Sequence, residues 1–521
     1  MPNALVINLT RFGDLIQSQA VIDDLHQAGY SVSLLCQNNF SSALPLLRNL
    51  AGTWLLPGAH LLAALDSDWQ KALADLSGFA GSIRSSGSLD VILNLTPSLP
   101  ARLLAALLAG PETRLLGFGM DRFGYGVNHG VWASFFSVAA GGRANSPFNL
   151  ADLMRRMALP ATGSLAGSIS LAEPGSEALK WARDFLGESG AGHIAFQLGA
   201  SQDNRRWPVA KFRELGELLW REAGLVPVLL GSASEKNLGE DYASGCQHPF
   251  VNAIGKTDIA KLSALLVESQ LLVTNDTGTM HLAAGLGRPV VAIFLATAQP
   301  WDTGPLLPGS CSLEPALDCH PCAFDAVCPN QNQCLDHIPA AVVAGYALAK
   351  LQGRDLQSIG DDSARAWLTD IDEQNFRVLR PLGRMKSGPG AWLAWQRAFW
   401  GALLEDVENL HETPDGILRA MYDGLPDLGR EKRFASAFGQ AAGLMKTIAE
   451  ICPLAKTNPK MADLLLRNSD RLQALLDASG SGALGLFWRE FRLNQGDDLE
   501  RFGRQTAIMA AHVRALSMSM A

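Results

Sequence analysis

Charge is scarce in this chain. Only 18% of its 521 residues are Asp, Glu, Lys or Arg, against roughly 25% in an ordinary soluble chain. The balance is a net −8, which excludes a globally basic nucleic-acid binder, although a local patch could hold an anion. Long apolar runs are also missing. Residues 103–108 and 290–296 are the longest and fall far below the roughly 20 positions a spanning helix needs. No transmembrane segment is expected. Nor is a secretory leader: residues 2–4 run straight into 5–9, a short stretch with no basic flank. No period of 20–50 residues marks a solenoid. Cysteine is rare outside one stretch that holds Cys311, Cys319, Cys322, Cys328 and Cys334. A cytoplasmic chain, the expected setting, keeps such thiols reduced or places them on a metal.

What is present points to several buried cores. Hydrophobic residues make up 48% and Gly numbers 50, which excludes a disordered chain, a collagen and a coiled-coil rod. At roughly 150 residues per domain, three or four domains are expected. Short β-branched runs (5–9, 31–36, 91–95, 193–198, 226–230, 271–274, 290–294) alternate with helical patterns (14–28, 101–109, 209–223, 258–268, 280–286). That rhythm predicts an α/β fold with parallel sheets covered by helices. A loop over 163–176 separates two such units. Beyond residue 350 the pattern changes: from Asp361 onward almost no strand-like run remains. Helices are expected over 391–407, 432–451 and 460–476, and Trp is frequent in this region (Trp367, Trp392, Trp395, Trp400 and Trp488). The expected division is 1–170, 171–350 and a helical extension, 351–521.

Four strand-to-helix turns carry chemistry, and such turns at the carboxyl edge of a parallel sheet are where ligands sit. The first is Thr10-Arg11-Phe12-Gly13-Asp14. With one Gly it is no dinucleotide fingerprint. Asp14 there is either a general base or a helix cap. The second runs from Gln197-Leu198-Gly199-Ala200-Ser201 to Asn204-Arg205-Arg206-Trp207-Pro208. Small residues admit an anion and Arg offers a fork for phosphate; the plain alternative is a solvated Arg pair. The third, Gly231-Ser232-Ala233-Ser234-Glu235, ends in an acid that could take two ribose hydroxyls or only serve the helix dipole. The fourth, Asn275-Asp276-Thr277-Gly278-Thr279-Met280-His281, opens a small-residue helix whose free N–H groups suit a pyrophosphate. Asp276 would face neutral hydroxyls, and His281 could donate a hydrogen bond.

In this order and spacing, the four segments resemble glycosyltransferase family 9, the lipopolysaccharide heptosyltransferases. The match covers about residues 1–350. Its strongest piece is Asn275–Ala284 followed by Gly287-Arg288-Pro289-Val290-Val291-Ala292-Ile293-Phe294. The resemblance implies a GT-B fold, two Rossmann-like domains facing a cleft. It implies inverting sugar transfer without a catalytic metal from a nucleotide-sugar, ADP-heptose first, to a cell-surface glycan, lipopolysaccharide core or glycoprotein. By similarity Asp14 is the base, with Arg11 and Gly13 on the acceptor side. Ser201, Arg205, Glu235, Asp276, Thr277, Gly278 and His281 are donor-binding. Arg205 stands where the family usually has Lys, and Ala200-Ser201 where some members have two hydroxyls. A non-catalytic nucleotide-sugar-binding or partner-recruiting protein on the same scaffold is the rival reading, and a sugar-nucleotide epimerase a second.

Cys319, Cys322, Cys328 and Cys334 could close a tetrahedral zinc site. Free thiols or a labile disulfide are the alternatives, and Asp302, His320 and His337 leave other ligand sets open. The tail is read as a protein-interaction module or a lid over the acceptor side. A lipid-linked acceptor would bring the protein to the inner face of the cytoplasmic membrane, though no basic amphipathic helix supports that contact.

Overall fold

The computed structural model describes residues 1–142, 146–158, 168–188, 190–324, 326–383, 388–425, 432–494 and 498–521. Two sheets organise the first part of the chain, as the alternation predicts. In the first sheet the strands are β1 (Asn3–Asn8), β2 (Ser31–Gln37), β3 (Gly52–Leu56), β4 (Val91–Asn94), β5 (Arg114–Met120) and β6 (Gly126–His129), in the spatial order β3-β2-β1-β4-β5-β6. All neighbours are parallel except β6, which returns antiparallel to β5. β1 is central and buried from Ala4 to Asn8. Helices cover both its faces, so its sequence is a continuous apolar run rather than an alternating one.

The second sheet holds β7 (His193–Gln197), β8 (Val226–Leu230), β9 (Val251–Asn252), β10 (Leu272–Asn275), β11 (Val290–Ile293), β12 (Cys311–Pro315), β13 (Ala364–Ile371) and β14 (Arg377–Leu382). Their order is β14-β13-β12-β11-β10-β7-β8-β9. The strands from β12 to β9 are parallel, while β12-β13 and β13-β14 are antiparallel. The expected parallel sheets are formed, with antiparallel strands at one edge of each. One expectation is corrected here. The stretch after Asp361 supplies a hairpin to the second sheet before any helix begins. Trp367, counted with the helical tail, is a strand residue, fully buried. The hairpin's pattern is hard to read locally because Arg365 and Trp367 both serve a fully buried acid on the neighbouring strand. Glu314 accepts from Arg365 Nε at 3.0 Å and from Trp367 Nε1 at 3.1 Å. Pro381 is tolerated because β14 is an edge strand.

The segment between the halves is stitched to both. Leu171 N donates to Gly285 O and Ala172 N to Leu46 O, each at 2.8 Å. Of the expected loop 163–176, residues 163–167 lie outside the described residues.

The helical extension is formed. Its helices among the described residues are Gly388–Asn409, Asp415–Asp423, Lys432–Ala455, Pro459–Ser479, Gly482–Leu493 and Leu499–Met520. They are packed onto the first half through aromatic rings. Phe135 lies 4.8 Å from Trp400 and 6.1 Å from Phe487, centroid to centroid. Trp395, Trp400 and Trp488 are buried, so their apolar area is spent on this core. No helix among the described residues is long and apolar enough to cross a membrane.

Candidate functional site

The site forms where the carboxyl ends of β1, β7 and β10 meet. On the first side, Asn8 ends β1 and braces the turn. Its Nδ2 donates to the Asp14 carbonyl at 3.1 Å and to Ser18 Oγ at 2.6 Å. The following helix, α1 (Phe12–Gln27), begins after Arg11. Asp14 is half-buried, and its Oδ2 accepts from the Arg11 backbone N–H at 3.3 Å. The carboxylate therefore does cap the helix, one of its two expected roles, while remaining partly open to solvent. Arg11 is exposed at the N-cap.

On the second side, Asn275 is the organising residue, and the sequence reading did not place it in the site. Its Nδ2 donates to the carbonyls of Leu198 at 3.0 Å and Gly199 at 3.1 Å. Its Oδ1 accepts from Trp207 N at 2.9 Å. One side chain at the end of β10 thus shapes the loop after β7. That loop delivers Arg205, which is buried and ion-paired with Asp276. Arg205 Nη1 also lies 3.4 Å from Ser201 Oγ. Glu235 is drawn toward the same loop. Its Oε2 accepts from Ser232 N at 2.7 Å, a capping box. Its Oε1 lies over Gly199, where an added Cβ would come within 1.4 Å of it. Gly199 therefore has a steric reason to be Gly.

The two sides touch. Thr277 stands at the N-cap position of the helix Gly278–Gly285. An added Cβ at Gly278 would sit 2.6 Å from the Phe12 ring, and one at Gly13 would sit 3.0 Å from His281 Cδ2. Two helix starts meet through two glycines, and Asp14 follows directly on one of them. The structure thus brings together Gly13, Asp14, Ser201, Arg205, Glu235, Asp276, Thr277, Gly278 and His281. His281 is buried, and burial holds its imidazole below the ordinary value, against the pull of Asp276 and Asp14.

The cysteines lie apart. All eight are free. Cys319 is exposed, Cys322 and Cys328 are half-buried and Cys334 is buried. Among the described residues no three His, Cys, Asp or Glu side chains gather to hold a metal. The zinc site expected at Cys319, Cys322, Cys328 and Cys334 is therefore not formed there. Their loop does run beside the cleft loop after β11, for Cys322 N donates to Ala296 O at 2.9 Å.

Residues 163–332 match the family model for glycosyltransferase family 9 (heptosyltransferase). Lipooligosaccharide heptosyltransferase 2 of Haemophilus influenzae is 34% identical over 106 residues, 20% of this chain and 30% of that protein. Lipopolysaccharide heptosyltransferase 1 of Pseudomonas aeruginosa is 30% identical over 135 residues, 26% of this chain and 37% of that one. The chain thus spans about a third of the length of these curated relatives. The fold likeness reaches further. The structure of the Escherichia coli ADP-heptose lipopolysaccharide heptosyltransferase II superposes with a TM-score of 0.50 at 18% identity, covering 68% of this chain and 99% of that one. A family 9 glycosyl transferase from Veillonella parvula gives 0.51 at 17%, with 68% and 98% covered. The two halves have the GT-B architecture of the family 9 enzymes, and the helical extension is a further region.

Acid should test this packing. His129, His193 and His281 are all held below the ordinary imidazole value of 6.5, in each case mainly by burial. Below about 6.5 the unfolded chain takes up protons that the folded chain refuses. Stability is therefore full above that pH and is expected to fall as the pH drops through 6 toward 5. Urea midpoints across this range check it; a midpoint that holds level or rises on acidification would contradict it.

Proposed function

We propose that the chain is an inverting, metal-independent glycosyltransferase. It moves heptose or a related sugar from a nucleotide-sugar, ADP-heptose first, to a hydroxyl of a cell-surface glycan, lipopolysaccharide core or glycoprotein. The observation that carries this reading is the Gly13–Gly278 contact, which brings the turn that carries Asp14 against the Asp276–His281 turn. An alcohol is a weak nucleophile, so a carboxylate that takes its proton as the C–O bond forms lowers the barrier. The departing nucleotide collects negative charge. Arg205 and the N–H groups at the start of the helix Gly278–Gly285 are the donors available to it. Arg205 now neutralises Asp276, so a bound pyrophosphate would share or replace that partner. The names of the two curated relatives, both heptosyltransferases of lipooligosaccharide or lipopolysaccharide, support the sugar and the acceptor class, and the name of the Escherichia coli enzyme supports ADP-heptose.

Heat stabilisation with ADP-, GDP-, UDP- and TDP-sugars tests the reading. A ligand at 100 times its Kd stabilises the folded state by about 2.7 kcal/mol. ADP-heptose is expected to stabilise most, and a flat response to every nucleotide-sugar would end the proposal. Gly199→Ala probes the donor side without touching a polar group. The new methyl must displace the Glu235 carboxylate, so nucleotide affinity is expected to fall about tenfold, the loss of roughly one charged hydrogen bond. Isothermal titration with the stabilising nucleotide reads this directly, and unchanged affinity would remove Glu235 from the ribose role.

A further inference from the structure

Gln17 lies one turn beyond Gly13 on α1 and is almost wholly buried, at 1% exposure. Its Nε2 lies 3.4 Å from the Gly13 carbonyl oxygen and 3.4 Å from His281 Nε2 on the opposite side of the cleft. A main-chain carbonyl only accepts, so the amide nitrogen is the end that belongs there. Its second N–H then faces His281 Nε2, which must be the bare nitrogen of the ring. In the neutral imidazole the proton accordingly sits on Nδ1. That atom is buried and has no hydrogen-bond partner among the described residues. A buried donor left unmet in the free protein is costly unless something else supplies its acceptor.

We propose that Gln17 is a positioning residue that holds His281 as the Nδ1–H tautomer, ready to donate to an oxygen of the nucleotide-sugar as it departs. This rests on the transferase reading for its ligand but not for its tautomer. The link crosses the cleft. His281 belongs to the donor half, yet the amide that sets its polarity belongs to the half that carries Asp14. The correct tautomer is therefore fixed only while the two helix starts are in contact. A hydrogen bond that strengthens as charge develops on the leaving oxygen acts on kcat rather than on donor KM.

The full chain, 15N-labelled at histidine, reads the tautomer by NMR without any substrate, with His281→Asn identifying the resonance. The wild type is expected to show a protonated Nδ1 and a bare Nε2. Gln17→Met keeps the length but loses the donor. Gln17→Glu keeps the shape and offers only an acceptor. Both should move the proton toward Nε2 and lower kcat about tenfold or more, with donor KM within about twofold. A side chain that merely filled space would leave tautomer and kcat unchanged in Gln17→Met. A wild-type Nε2–H tautomer, or a tautomer indifferent to both substitutions, overturns the proposal. If the tautomer shifts as expected while no donor supports transfer, the transferase reading fails and the Gln17–His281 link stands.

Discussion

The Asp14→Asn variant is expected to transfer sugar about 10²–10⁴-fold more slowly than the wild type, the range that a positioned general base contributes. Donor binding should survive. The argument for separating the two lies in how the turn is held. The Asp14 main-chain carbonyl is fixed by Asn8 Nδ2 at 3.1 Å and by Ser18 Oγ at 3.2 Å, neither of which involves the carboxylate. The carboxylate's one hydrogen bond within the turn comes from Arg11 N, and the Asn carbonyl oxygen can accept it equally well. The helix cap is thus kept while the base is removed. Stability should change by no more than about 0.5 kcal/mol, as for an ordinary surface substitution. Nucleotide-sugar stabilisation should match the wild type. Retained transfer in Asp14→Asn would show that another group takes the acceptor proton. Lost transfer together with lost donor binding would place Asp14 in the donor site instead.

The residues most legible in the sequence were those whose place is set by their own turn. Asp14, Arg205, Glu235 and the Asp276–His281 segment each follow a strand and open a helical turn, so local pattern alone put them at one sheet edge. The structure brings all four turns to one place. Asn275 and Gln17 were not legible in this way. Asn275 acts on carbonyls 76 and 77 residues away, and Gln17 acts on a ring 264 residues away. No local period encodes such partners. The hairpin β13–β14 was hidden for a related reason. Arg365 breaks an apolar strand pattern, and the buried Glu314 explains it. Clustered cysteine, in contrast, left several roles open. Closeness in sequence gave a ligand count but not a common depth, and the four thiols range from exposed to buried.

Arg155→Ala should cost about 3–5 kcal/mol of stability, the penalty for leaving buried charge without its partner. Arg155 is 2% exposed and lies on the helix Leu150–Ala158 of the first half. Its Nε is 2.7 Å from Asp24 Oδ2, and its Nη1 is 3.4 Å from Asp152 Oδ1. Both acids are buried, and burial already raises the Asp152 carboxyl against the pull of Arg155. Asp152 Oδ2 in turn accepts from Arg377 N at 2.9 Å, and Arg155 Nη1 donates to Asn375 O at 3.2 Å. The network therefore fastens the β13–β14 hairpin of the second sheet to the first half. Arg377 carries it onward to the carbonyls of Pro300 at 2.7 Å and Trp301 at 3.1 Å, in the short helix Pro300–Thr303 that follows β11. Removing one cation should thus loosen the contact between the halves as well as the local core. The urea midpoint of Arg155→Ala should drop, and hydrogen exchange should quicken in 372–377 before it quickens in β1. The double variant Asp24→Leu, Arg155→Leu should recover much of the loss, because replacing a buried pair with apolar side chains of similar size is often neutral. A single variant as stable as the wild type would mean that water already reaches Asp24 and Asp152. A double variant no better than the single would assign the cost to packing, with the charge of Arg155 contributing little.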